Sequence, residues 1–398
     1  MNIYWVAFVW IAMALAASLI SIRLGISVAL IEIFIGAVVG NLPHGEQVVK
    51  QTEFTTFLAS VGSLMLTFLA GAEIDPVSLR RHWRASLAIG FVSFVLPFLG
   101  AFGFCYYVLE WSLHAAEIGG VALSTTSVAV VYAVMVETGL NREDLGKLIL
   151  AACFVTDLGT VLALGGLFAS FGAMLLVFVA ITAAVLVTLP RTTRFVIERV
   201  GHRVSEPEIK FLLLVLFGLG ALAVEAGSEA VLPAYIAGLV IAGIFLNDRI
   251  LIDRMRSICF ALLTPFFFLR AGSLISAPAL VSGAGVIAAL LGVKLIAKAI
   301  GVWPTARAFR IASRERTYLT LLMSTGLTFG SIAALFGLSH QLITPQQYSE
   351  LVTVVILSAF VPTIVAQRFF TPKVIDRDEE EALGAEDATT IRPQASAP

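Results

Sequence analysis

The chain has 398 residues, 59% of them hydrophobic and only 13% charged, with a formal net charge of −1. A soluble domain is nearer half apolar and about a quarter charged, so this composition excludes a soluble globular protein, and it offers no basic surface for nucleic acid. Cys105, Cys153 and Cys259 all lie in apolar runs without a CxxC pair, and His44, His82, His114, His202 and His340 lie outside them, so neither a metal cluster nor a cofactor is expected.

Apolar runs of about 17 to 25 residues can cross the hydrocarbon core. Thirteen follow in chain order, roughly at 3–20, 25–40, 55–72, 85–110, 117–137, 147–168, 173–190, 210–226, 231–246, 258–275, 279–303, 317–337 and 347–370. The pattern predicts an all-α polytopic membrane protein of about 13 transmembrane helices. The second run is short, and the tenth carries Pro265 and Arg270. The first lacks a basic flank and a small-residue cleavage site before residue 20, so it reads as a retained helix.

Basic residues sort with the loops. Arg80, Arg81 and Arg84 follow the third run, and Arg191, Arg194, Arg199 and Arg203 the seventh. Arg249, Arg254 and Arg256 follow the ninth, and Arg307, Arg310, Arg314 and Arg316 the eleventh. The opposite loops hold only Lys50, while Arg270, Lys294 and Lys298 lie inside runs. Basic loops stay cytoplasmic, so the N-terminus is expected outside and the C-terminus inside. Residues 372–398, with Asp376, Asp378, Glu379, Glu380 and Glu381, read as a disordered acidic cytoplasmic tail.

Two runs are polar and Gly-interrupted at their centres. The fifth contains Ser124, Thr125, Thr126 and Ser127, and the twelfth contains Ser324, Thr325, Gly326 and Gly330. They are an odd number of helices apart and so cross in opposite directions. Units of five helices, the second to sixth and the ninth to thirteenth, would then be inverted repeats. Broken helices at matching positions of inverted halves point to a transporter's binding site. The alternative is Ser and Thr bonding back to their own helices.

Asp157 falls near mid-depth of the sixth run, where a carboxylate costs several kcal/mol unless paired, hydrated or protonated. Desolvation favours the neutral acid, while a nearby cation or helix N-terminus favours the carboxylate. Such a group can hold a proton or a small cation, which is the minimal machinery for exchange. Thr126, Ser127 and Thr156 would add oxygen ligands suited to a hard monovalent cation at Asp157. Lys294 and Lys298 share one helix face, and one of them is expected to reach the crossing. Lys298 could instead snorkel towards the cytoplasm. Arg270, Glu32 and Glu225 suit structural or interface roles, with Glu225 also a candidate pathway charge. Gly36 and Gly40 form a GxxxG that suits close helix packing or dimerisation.

These residues resemble the monovalent cation:proton antiporter superfamily, in particular its bacterial NapA-like and Kef-like sodium or potassium/proton exchangers. The likeness covers nearly all of residues 25–370. It rests on Ile35-Gly-Ala-Val-Val-Gly-Asn-Leu-Pro43, Leu69-Ala-Gly-Ala-Glu-Ile-Asp75, Leu232-Pro-Ala-Tyr-Ile-Ala-Gly-Leu239 and Phe267-Phe-Leu-Arg-Ala-Gly272, in that order. It implies a transmembrane antiporter domain over 1–371, with core helices at about 85–168 and 279–370 and a dimerisation scaffold at about 1–72 and 210–275. It also implies a homodimer in the cell inner membrane. The family's ion-binding aspartate falls on Asp157, its threonine–serine pair on Thr126 and Ser127, and its core lysine on Lys298 within Lys298-Ala-Ile-Gly-Val-Trp303. One departure concerns stoichiometry: electrogenic members carry two adjacent aspartates, whereas this chain has Thr156-Asp157.

The expected function is exchange of Na⁺ or K⁺ for H⁺ at Asp157, by elevator-type alternating access. Na⁺ and K⁺ remain undistinguished, because hydroxyl and carboxylate oxygens accept both. A cation channel would need a charged or carbonyl ring. An intramembrane enzyme would need a second catalytic acid, a His or a metal pair near mid-depth.

Overall fold

A computed structural model describes residues 2–24, 27–43, 52–72, 76–168, 173–201, 203–227, 230–275 and 277–372. His44, His202, Lys50, Glu73, Asp75 and the acidic tail beyond residue 372 lie outside the described residues. Every described element is helical. In chain order these are α1 (Ile3–Leu24), α2 (Val28–Gly40), α3 (Glu53–Ala72), α4 (Pro76–Tyr107), α5 (Leu113–Ser124), α6 (Val128–Glu137), α7 (Asp144–Phe168), α8 (Ala173–Val200), α9 (Pro207–Glu225), α10 (Val231–Asn247), α11 (Arg249–Ile258), α12 (Thr264–Ser273), α13 (Ala277–Ser282), α14 (Ala284–Ala308), α15 (Ser313–Met323), α16 (Thr328–Ser339) and α17 (Pro345–Val365).

Each of the thirteen apolar runs falls on one helix or on consecutive helical segments. Among the described residues, ten helical spans are long and apolar enough to cross a membrane, and two shorter apolar helices cover Val28–Gly40 and Pro233–Phe245. The tenth run sits in a rod of α11 and α12 joined by a π turn over Cys259–Leu263, directly before Pro265. That proline lacks a backbone N–H, and the wider turn accommodates the missing bond. Hydropathy placed some ends short. α4 begins nine residues before its apolar run, and α8 continues through Arg191, Arg194 and Arg199, because charged turns prolong a helix that hydropathy no longer registers.

Packing separates two groups of helices. In one, α3 lies against α10 and α2 against α12, with α3 and α12 also touching. Glycines make these contacts close. A Cβ at Gly238 would collide with Phe68 O, and one at Gly71 with Tyr235 O. Gly36 likewise faces Leu269 O, and Gly40 lies against Ser273. The GxxxG of α2 is therefore occupied within the chain, by α12. In the other group, α4 packs on α5, α7 and α14, while α14 and α16 pack on α17. The groups meet where α3 touches α6 and where Phe154 of α7 stacks on Tyr235 of α10, with centroids 4.2 Å apart.

Candidate functional site

The chain opens at two places, and the openings meet. α5 stops at Ser124, where Ser124 Oγ donates to Val121 O (2.8 Å) and Thr125 Oγ1 to Ala122 O (3.1 Å). These hydroxyls occupy carbonyls that would otherwise take the next backbone N–H groups, so the helix ends. Residues 125 and 127 are extended, and Ser127 Oγ then caps α6 by accepting from Val130 N (3.4 Å). The second break repeats this chemistry. Ser324 Oγ donates to Thr320 O and Thr325 Oγ1 to Leu322 O, both at 2.8 Å, and α16 resumes at Thr328. Two bonds tie the breaks together: Ser127 N donates to Thr325 O (3.2 Å) and Thr126 Oγ1 to Met323 O (2.8 Å).

Asp157 projects from α7 to this crossing and is 5% exposed. The backbone N–H of Val128, the first residue of α6, is directed at its carboxylate. Its Oδ1 is buried with no hydrogen-bond partner among protein atoms. An anion at the start of a half-helix meets the positive end of the helix dipole. Thr156 is buried beside it, with Oγ1 donating back to Cys153 O (2.7 Å).

Both lysines reach the crossing, and both are fully buried. Lys298 Nζ donates to Ser93 Oγ (2.8 Å), Ser124 O (2.9 Å) and Thr126 Oγ1 (2.9 Å), which uses all three of its hydrogens. It therefore sits at the carbonyl end of α5 and does not snorkel. Lys294 Nζ donates to Ser358 Oγ (2.9 Å), and a side chain at Gly326 would collide with it. Lys298 thus lies at the negative end of one half-helix and Lys294 beside the break that follows the other, while the acid faces a positive end. No ion pair joins Asp157 to Lys298 among the described residues, although the two charges are close enough to act on each other.

Sequence reasoning missed Ser93 on α4 and Ser358 on α17. Each is one serine within a long apolar run, where bonding to its own backbone is the usual reading. Their position inside an apolar run was the one signal in the sequence; that α4 and α17 flank the lysine helix shows only in the packing. Of the residues singled out elsewhere, Glu225 is exposed at the end of α9, and Glu32 is buried in α2.

A family model described as sodium/hydrogen exchanger, transmembrane, matches residues 10–371. Probable Na(+)/H(+) antiporter 3 of Methanocaldococcus jannaschii is 25% identical over 352 residues, which are 85% of this chain and 89% of that protein. Cation/H(+) antiporter 18 of Arabidopsis thaliana is 27% identical over 79% of this chain and 41% of its own length. Glutathione-regulated potassium-efflux system protein KefC of Enterobacter sp. is 24% identical over 87% and 57% respectively. This chain thus spans about half the length of the last two relatives. Among solved structures, a sodium proton antiporter of Methanocaldococcus jannaschii at pH 8 superposes with a TM-score of 0.66 at 16% identity. The superposition covers 90% of this chain and 94% of that one, a likeness of fold.

Proposed function

The chain belongs to the transmembrane sodium/hydrogen exchanger family, and from that premise we propose that it exchanges Na⁺ or K⁺ for H⁺ at Asp157. The observation that carries this reading is the Asp157 carboxylate. It is buried, set against the N-terminal end of α6, and keeps one oxygen free of protein partners. A desolvated carboxylate must take a proton or a cation, and it cannot hold both at once. Thr126, Ser127 and Thr156 supply neighbouring hydroxyl oxygens that a hard cation prefers to nitrogen or sulfur. The relatives named as Na⁺/H⁺, cation/H⁺ and potassium-efflux proteins favour the same class of cargo.

Lys298 neutralises the carbonyl end of α5 and holds Thr126 in place, and Lys294 acts similarly beside Gly326. With Thr156 bonded to its own helix and no second acid beside Asp157 among the described residues, one carboxyl exchanges one proton for one cation. The exchange is then electroneutral. Helices of the two inverted repeats would form a core, about 85–168 and 279–370, moving as a rigid body against a scaffold of about 1–72 and 210–275 in a homodimer. The protein would sit in a cell inner membrane with its N-terminus outside. In that orientation the stacked Phe154 and Tyr235, the former one helical turn before Asp157 on α7, would lie on its cytoplasmic side.

Reconstituted into proteoliposomes, the protein should move protons when a Na⁺ or K⁺ gradient is imposed, at a rate insensitive to membrane potential. Asp157→Ala should abolish that flux. Exchange by this variant at the rate of the unsubstituted protein would refute the assignment, and potential-driven turnover would refute the stoichiometry.

A further inference from the structure

α2 begins at Ser27, whose side chain caps none of its own N–H groups. Leu30 N turns back to Ser27 O (3.1 Å), which leaves the N–H groups of Ser27, Val28 and Ala29 to find acceptors elsewhere. They find them in the other helix group. Ser27 N donates to Gln367 Oε1 (3.1 Å), in the π turn over Ala366–Phe370 that ends α17. Val28 N donates to Glu137 Oε2 (3.1 Å) at the end of α6, and the N–H of Ala29 is directed at the same carboxylate. A carboxylate suits this place, because the start of a helix carries partial positive charge. α2 itself is fixed to α12, where a Cβ at Gly272 would collide with Ile33 O.

The two groups are thus bonded at one end of the bundle and parted at the other. The far end of α2 packs Gly40 on Ser273, and next to it a cavity of about 460 Å³ separates Ser63, Val231 and Leu274 from Thr328, Ile332 and Leu335. By the distribution of the loop arginines the bonded end is cytoplasmic and the cavity outer. Glu32 lies one turn along α2 from Val28, on the same face, and the charge of Glu137 acts on it. It is 2% exposed, and its Oε2 has no hydrogen-bond partner among protein atoms. Among the described residues, no basic side chain pairs with either acid. One positive helix end neutralises one carboxylate, so the charge stays on Glu137 and the buried Glu32 is a neutral acid.

We infer that Glu137 is a positioning residue: by capping α2 across the boundary it holds the core to the scaffold at the cytoplasmic end, and so sets the balance between the two access states. This rests on the exchange reading and the orientation given above. If the core slides, Glu137 and Gln367 move with α6 and α17 while α2 stays with α12, so each transport cycle breaks and remakes the cap. Glu137→Gln keeps the shape and removes the charge. It should shift the balance towards the cytoplasm-facing state about tenfold, or about 1.4 kcal/mol, in line with a bond to a charged acceptor. Apparent affinity on one face scales with the population of the state open to that face. The cation KM should therefore fall on the cytoplasmic face and rise on the outer face, whereas simple loss of stability lowers flux from both faces alike.

Two readouts in oriented proteoliposomes of the full chain test this. The first is the KM for Na⁺ and for K⁺ in proton flux, titrated from each face. Glu137→Gln should move the two faces' KM values in opposite directions, and Gln367→Ala should do the same more weakly, which keeps the test open if the first variant fails to fold. Glu32→Gln, which leaves the charge on Glu137, should move neither. The second readout needs no exchange. Ser331→Cys on α16 lines the cavity, and Cys105, Cys153 and Cys259 are all buried. Its labelling from outside by a membrane-impermeant thiol reagent should slow several-fold when Glu137→Gln is added. KM values that move together, unchanged labelling, or an effect of Glu32→Gln equal to that of Glu137→Gln would each overturn the inference. If the unsubstituted protein does not exchange but its labelling responds to Glu137→Gln, the functional reading falls and the cap across the boundary stands. If it exchanges and the labelling does not respond, this inference alone falls.

Discussion

Thr126→Val removes one hydroxyl from the crossing with almost no change of shape. That hydroxyl donates to Met323 O at 2.8 Å and accepts from Lys298 Nζ at 2.9 Å, so it links the second broken helix, the first and the lysine helix. A neutral hydrogen bond contributes about 1 kcal/mol net, one to a charged group about 1.5–3, and a buried carbonyl left unpaired costs about 1–3 kcal/mol. Lys298 retains Ser93 and Ser124 O, which limits the loss to about 2–4 kcal/mol. At about 2 °C per kcal/mol for a chain of this size, the thermal midpoint in detergent should fall by about 4–8 °C. Thr125→Val is the internal comparison. Among the described residues its hydroxyl bonds only Ala122 O, within its own helix, so that substitution should cost about 1 kcal/mol or less. Parallel melting curves of the two purified variants, each with an exchange assay, make the comparison. Equal midpoints for both would refute the claim that Thr126 straps the two breaks together.

Gly326→Ala would push a methyl group against the Lys294 ammonium, Ser358 Oγ (3.1 Å) and Thr125 Oγ1 (3.3 Å), and should destabilise by about 1–3 kcal/mol. Shortening the lysine should relieve that conflict, so Gly326→Ala measured in a Lys294→Ala background should cost at least about 0.5 kcal/mol less. Gly238→Ala meets backbone, Phe68 O and Ala72 N (2.8 Å), which cannot move without separating α3 from α10. Its yield of monodisperse protein in size-exclusion chromatography should fall sharply. Gly218→Ala on α9 meets nothing within 4 Å and should leave that yield unchanged or improve it.

Composition and run length alone determined that this chain is a bundle of apolar helices, because a continuous apolar run of about 20 residues belongs in lipid, where its backbone polar groups must bond within the segment. The two polar breaks were also legible, since Ser, Thr and Gly at the centre of an apolar run weaken helix locally, whatever surrounds them. Asp157 stood out for a similar reason: a carboxylate at that depth is costly in any fold. What each polar group bonds to was a different matter, because partners are chosen by which helices cross. Lys298 could equally have snorkelled, and only the approach of α4 and α5 supplied Ser93 and Ser124 O to hold it inside. Lys294 found Ser358 sixty-four positions along the chain, where nothing local marked that serine as other than helix filler. Gly36 and Gly40 announced a close approach without naming the partner, which tertiary packing made α12 of the same chain. Local chemistry determines where a helix starts, stops or pays for a charge; the identity of a buried partner depends on distances between segments far apart in sequence, and only the assembled bundle decides those.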